Sequence, residues 1–154
     1  MAFLKSSGVE KDIPLAPFKG NRFNILFHNA AGIYFLYPEL LDFFKQVEGD
    51  NQLMKVVHAD LEVSSLKSGC RALGIIDKMI TAPLWKCLNE TGADGKRVHV
   101  ADMSVRYERF MECCEKWARD ASSLMRGEKM FEDVEVKVDR VYESLLCECE
   151  RDVE

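Results

Sequence analysis

Residues 18–47 read FKGNRFNILFHNAAGIYFLYPELLDFFKQV, and the apolar spacing in this run decides the fold class. Phe23, Leu26, Phe27, Ala30, Ala31, Tyr34 and Phe35 recur at steps of three and four. That spacing gathers side chains on one face of a helix. Gly32 lies inside the face and costs roughly 1 kcal/mol against alanine, unless another backbone packs closely there. Tyr37-Pro38 marks a boundary, because proline suits a first helical turn and the charge of Glu39 favours a helix amino terminus. Leu40, Leu41, Phe43, Phe44 and Val47 continue as a second short helix. This is the most apolar and aromatic run of the chain, so the core is expected to form on it.

Working outward toward the amino terminus, Lys19-Gly20-Asn21 supplies a break, with Asn21 as a helix cap. Pro14 and Pro17 each fix φ and disfavour helix at the residue before, so 13–17 reads as an extended lead-in. Residues 1–12 are polar and aperiodic, which makes 1–17 a flexible tail and lead-in. Toward the carboxyl terminus, 48–51 is a turn. Residues 52–80 read as one long helix or two with a break near Val63-Ser64-Ser65, with Leu66, Cys70, Leu73, Ile76 and Ile80 on one stripe. Ala82-Pro83 restarts the chain, and Gly92-Ala93-Asp94-Gly95 is a loop. Residues 102–126 carry Met103, Tyr107, Phe110, Cys114, Trp117, Ala121 and Leu124 at alternating steps of four and three, a heptad-like seam. Gly127 stops that helix. In 129–149, Phe131, Val134, Val138, Val141 and Leu145 keep the same steps, although Val134, Val136 and Val138 also alternate like a strand. Length and mixed charge favour helix, which makes an antiparallel hairpin about Gly127. The expectation is an all-α multi-helix bundle of about five to seven helices, with 18–150 as a single helical domain.

The chain has 154 residues, 47% of them hydrophobic and 31% charged, which fits a globular domain with a real core. A net charge of −5 argues against a generic nucleic-acid coat, since phosphate binding needs a cationic surface. Six cysteines invite a disulfide framework or a zinc site. Residues 1–12 lack the apolar stretch of a secretion signal, and neither Cys113-Cys114 nor Cys147-x-Cys149 has the spacing that brings two thiolates to one ion. Free, partly buried thiols are expected, with no metal and no cofactor. No apolar run reaches the ~18 residues that would span a bilayer, so the expected address is intracellular, nuclear or cytoplasmic.

For catalysis the residues offer little. His28, His58 and His99 form no HExxH pattern. No G-x-S-x-G elbow occurs, and Cys70 falls within helical periodicity, away from any exposed turn. Gly92 to Arg97 lacks P-loop spacing. The carboxylates of 132–154 alternate with Lys137, Arg140 and Arg151, as on a solvated helical face. The chain is therefore read as having no enzymatic activity.

Gly20-Asn21-Arg22-Phe23-Asn24, followed by a helix closing in Leu40-Leu41-Asp42-Phe43-Phe44, resembles hAT-superfamily transposases. The family opens this helix with Gly-x-Arg-Trp-x-Ser/Asn, and Phe23 stands where it has Trp. The likeness continues loosely through Ala59-Asp60-Leu61 and 71–81, covering about half the chain. It implies the helical insertion that interrupts the family's catalytic core, without that core's acidic triad. It also implies DNA contact, with Arg22 meeting phosphate and Phe23 stacking on a base. The alternative is a helical adaptor or scaffold whose seam at 103–124, through Tyr107, Phe110 and Trp117, docks a partner helix or a second copy of the chain.

Overall fold

The structure, a computed structural model, describes residues 14–17, 22–46, 51–89 and 99–147. Among them the chain is all-α, as a multi-helix bundle requires, and no strand forms. The expected tail at 1–12, the break at 19–21 and the loop at 92–95 lie outside the described residues. The chain gathers into two compact units, Met1–Gly74 and Ile75–Glu154.

The first unit contains α1 (Arg22–Phe35), α2 (Tyr37–Gln46), α3 (Gln52–Leu61) and most of α4 (Ser64–Ile76). The α1 face predicted from spacing is buried at Ala30, Ala31 and Tyr34, whereas Leu26 is exposed. The helical ladder continues across the α1–α2 junction. Leu36 N–H donates to Gly32 O at 3.0 Å, and Leu40 N–H donates to Leu36 O at 2.9 Å. Pro38, second in α2, sits where a missing N–H is least disruptive. Leu36, at the junction itself, is fully buried.

The lead-in is tied to α1 by a side-chain amide. Ala16 N–H donates to Asn29 Oδ1 at 2.7 Å, and Asn29 Nδ2 donates to Ala16 O at 3.0 Å. One amide thus satisfies both polar groups of an extended residue that has no strand beside it. Gly32, three residues along α1, faces Pro14 and Leu15. A β-carbon there would overlap the Pro14 carbonyl oxygen and lie 2.9 Å from Leu15 Cδ2. This close backbone is the condition under which a mid-helix glycine is favoured.

Two tyrosines bind the remaining helices. The Tyr37 hydroxyl donates to Leu61 O, one of the carbonyls left without a partner at the end of α3. Burial pushes the Tyr37 phenol above its ordinary pKa, with Lys67 opposing. Lys67 and Arg71, one turn apart on α4, lie over the rings of Tyr37 and Tyr34 at 5.8 Å and 5.9 Å. Cationic contacts of this kind contribute about 0.5–1 kcal/mol at exposed sites and more when desolvated. Phe44 of α2 stacks on His58 of α3 at 6.0 Å. The break between α3 and α4 falls at Glu62 and Val63, close to where the sequence placed it.

Two expectations need correction in the second unit. Pro83 does not restart the chain. The helix continues from α4 through a π segment, Asp77–Thr81, into α5 (Ala82–Asn89). Ala82 N–H bonds to Asp77 O, one residue farther back than in an α-helix. Proline in a helix clashes with the carbonyl four residues earlier, and widening the turn relieves that clash.

The long carboxy-terminal helix also fails to form. Beyond the 3-10 turn Val100–Met103 come α6 (Ser104–Arg119) and α7 (Ser122–Met125), and among the described residues of the final segment only Arg140–Leu146 is helical, as α8. Residues 129–139 are irregular, so no antiparallel helical hairpin is built. Met130, Phe131 and Val134 are buried there, and the β-branched Val134, Val136 and Val138 lose rotamer freedom in a helix. Asp139 ends the irregular run by accepting the Tyr142 N–H at 2.9 Å as the cap of α8. Its other oxygen meets Lys78 Nζ at 2.8 Å. Burial would raise the Asp139 pKa, yet Lys78 and the Tyr142 amide hold it below the ordinary value.

Gly32→Ala tests the lead-in contact. An exposed helix would gain about 1 kcal/mol from this change. Here overpacking should instead cost about 1–3 kcal/mol, read from the urea unfolding midpoint. An unchanged or higher midpoint would mean that Pro14 does not rest on α1.

Candidate functional site

The candidate surface is the outer face of α6, and its inner face must be understood first. His99 caps the 3-10 turn before α6, its Nδ1 accepting the Ala101 N–H at 3.2 Å. Lys116 and Arg119 in the last turn suit the negative end of the helix. The helix stops at Asp120, whose backbone is extended. The carboxylate of Asp120 accepts the Ser122 N–H at 2.9 Å, and contacts to Ser122 hold its pKa below the ordinary value. The sequence expected one helix over 102–126. An aspartate able to bond the backbone two residues ahead offers an alternative to continuing it.

α7 then reverses the chain. Gly127 N–H donates to Leu124 O at 2.9 Å and Glu128 N–H donates to Ser123 O at 3.0 Å, with Gly127 at φ +81°. This is the Schellman pairing, and it favours glycine because a β-carbon is strained in the left-handed region. Gly127 thus follows the end of α7, whereas the long helix it was expected to stop has already ended at Arg119.

After the reversal, residues 128–134 pass beneath α6 and are fastened to it by three cations. Lys116 Nζ meets Glu128 at 2.6 Å and 2.7 Å, and holds that carboxyl below its ordinary pKa. Arg109 Nε donates to Met130 O at 3.4 Å. The Arg106 guanidinium meets both oxygens of Asp133, at 2.6 Å and 2.5 Å, and lies 5.2 Å above the Phe131 ring. Arg106 likewise holds Asp133 below the ordinary carboxyl range. Cys87, Met103, Cys113, Trp117, Met130, Phe131 and Val134 form the buried cluster, with Phe110 and Leu124 packed against it.

The sequence-predicted seam is therefore divided. Trp117, only 6% exposed, is core, and Phe110 packs against the core. Tyr107, 38% exposed, is at the surface. Sequence reasoning missed Met111, 55% exposed, and buried Cys113. Two apolar stripes run side by side along α6. The inner one is Met103, Phe110, Cys113 and Trp117. The outer one is Tyr107, Met111, Cys114 and Ala118, with Cys114 half-buried and the other three exposed. Steps of four, three and four relate the outer residues, so the signal was present, but a strict heptad reading drew one line between two stripes.

On its open side the outer stripe is edged by Glu108, Glu112 and Glu115, all exposed. Arg109 reaches Glu112 at 3.4 Å and Arg119 reaches Glu115 at 3.7 Å. On the opposite flank of the helix, an open cleft of about 260 Å³ is lined by Val105, Arg106, Arg109, Met130, Phe131, Glu132 and Asp133. Its principal cation, Arg106, is already engaged by Asp133 and Phe131.

The other candidate residues fall elsewhere. Arg22 and Phe23 open α1, and their side chains lie outside the described residues. Cys70 is buried in α4, where burial pushes its thiol pKa up, the direction opposite to nucleophile activation. Cys87 and Cys113 are buried and Cys147 is exposed, none of the three in a disulfide. Among the described residues, no group of three or more His, Cys, Asp or Glu stands ready to hold a metal ion. No helix among them is long and apolar enough to cross a membrane. In comparisons with known proteins, no family model, curated protein or solved structure matches the chain.

Truncating one residue from each stripe separates inside from outside. Trp117→Ala should cost about 3–5 kcal/mol of unfolding free energy. Met111→Ala should stay within about 0.5 kcal/mol, as surface changes do. Equal losses in a denaturation series would show that the outer stripe is also core.

Proposed function

We propose that this chain is a non-catalytic helical adaptor whose second unit docks a partner helix on the outer face of α6. The observation that carries this reading is the second apolar stripe, Tyr107, Met111, Cys114 and Ala118, on a helix whose inner face is already filled. Apolar groups at this spacing are what an amphipathic helix uses to meet another. The rigid backing matters as well. A docking face that is ordered before binding loses less entropy when the partner arrives.

A panel of amphipathic helical peptides, differing in the charge of the polar face, tests the reading by fluorescence anisotropy. At least one peptide should bind, and Met111→Asp should weaken it about tenfold or more while circular dichroism stays unchanged. Binding by no peptide, or binding indifferent to Met111→Asp, removes the adaptor reading.

The transposase-like motif supports a second reading, because Arg22 and Phe23 stand at the start of a helix as the resemblance implies. It expects DNA binding that weakens with added salt and with Arg22→Ala. Absence of binding even at low salt would end it.

A further inference from the structure

We infer that the segment docking on α6 is a cationic amphipathic helix of another protein. This deepens the adaptor reading and rests on it. Its apolar side would lie along Tyr107, Met111, Cys114 and Ala118, and its lysines or arginines would face Glu108, Glu112 and Glu115.

The charge arrangement is one-sided. One edge of the outer stripe runs into the packed core, so only the other edge is free to meet a partner's polar residues. That free edge carries a carboxylate on each successive turn. The two arginines nearby offset it only in part, and they leave the carboxylates accessible. Their contacts with Glu112 and Glu115 are 3.4 Å and 3.7 Å long, and the four side chains are 46% to 81% exposed. Ion pairs of that kind contribute little and exchange readily for better-placed partners. The net charge of −5 adds a long-range field of the same sign. Such fields steer cationic partners and speed their encounter.

The same charges disfavour the other occupants. If a second copy paired antiparallel through this face about a two-fold axis, each flank would meet its own equivalent, acid against acid. Nucleic-acid phosphates and anionic lipid headgroups would meet the same repulsion. The shape of the stripe adds a register. Tyr107 and Met111 are bulky, while Cys114 and Ala118 are small, so the surface has a raised half and a recessed half. A partner's large apolar residue belongs over Cys114 and Ala118, and small ones belong beside Tyr107.

The test uses the full chain and three synthetic peptides that share one apolar stripe but carry cationic, neutral or anionic polar faces. The cationic peptide should bind about tenfold or more tighter than the neutral one, and the anionic peptide weakest. Raising ionic strength should erase most of that preference, because exposed charges are screened beyond a Debye length of ~10 Å at 0.1 M. Replacing Glu108, Glu112 and Glu115 together by Gln should remove the preference, with circular dichroism unchanged. Equal binding of cationic and neutral peptides overturns this inference and leaves the adaptor reading standing. Binding by no peptide removes both. Sedimentation that reveals a dimer abolished by Met111→Asp assigns the face to a second copy and overturns the cationic partner.

Discussion

Gly127 adopts φ +81°, and what α6 can bury depends on where that residue sends the chain. A non-glycine residue in this region costs about 1–2 kcal/mol, so the reversal is encoded at one position. A β-carbon at Gly127 would also lie 2.9 Å from the Tyr142 hydroxyl. Because the chain turns there, Met130, Phe131 and Val134 come to rest against Cys113 and Trp117. The inner stripe is then covered, and the outer stripe is left at the surface. The exposure of the outer stripe is a consequence of the turn, although the two share no residue.

The cations of α6 secure this arrangement more by geometry than by strength. Arg106 is the best placed, with two parallel hydrogen bonds to Asp133 and an aromatic ring beneath it. Bidentate contacts of this kind fix orientation as well as adding energy. Lys116 acts as a point charge on Glu128 and lies in the open, where screening by solvent limits its value. Burial of Trp117 and its neighbours supplies the stability. The ion pairs determine which way the return segment lies.

The first unit follows a similar logic with other chemistry. Asn29 holds Ala16, and Gly32 makes room for Pro14, so an extended segment lies on a helix without any sheet to receive it. Tyr37 joins α2 to the end of α3 through Leu61 O. Gly32 was legible in the sequence as a position that costs the helix unless a backbone packs closely there. The identity of that backbone was not, because Pro14 is distant along the chain and nothing local points to it. The Asn29 clamp was equally hidden, since asparagine within a helical run gives no sign of which main chain it will reach.

The sequence by itself determined that this protein is helical, where most of its helices begin, and that a helix stops at Gly127. These are local matters, set by the 3.6-residue period, by proline and by the absence of a β-carbon. Only the tertiary structure decided which of the two α6 stripes is inside, that Pro83 is absorbed in a widened turn, and that 129–139 is irregular. The stripes differ by one residue in register, and either could have faced a core. The choice rests on contacts with Met130, Phe131 and Val134, which exist only after the chain has turned back. Periodicity records that a face is apolar. What covers that face is a property of the whole unit.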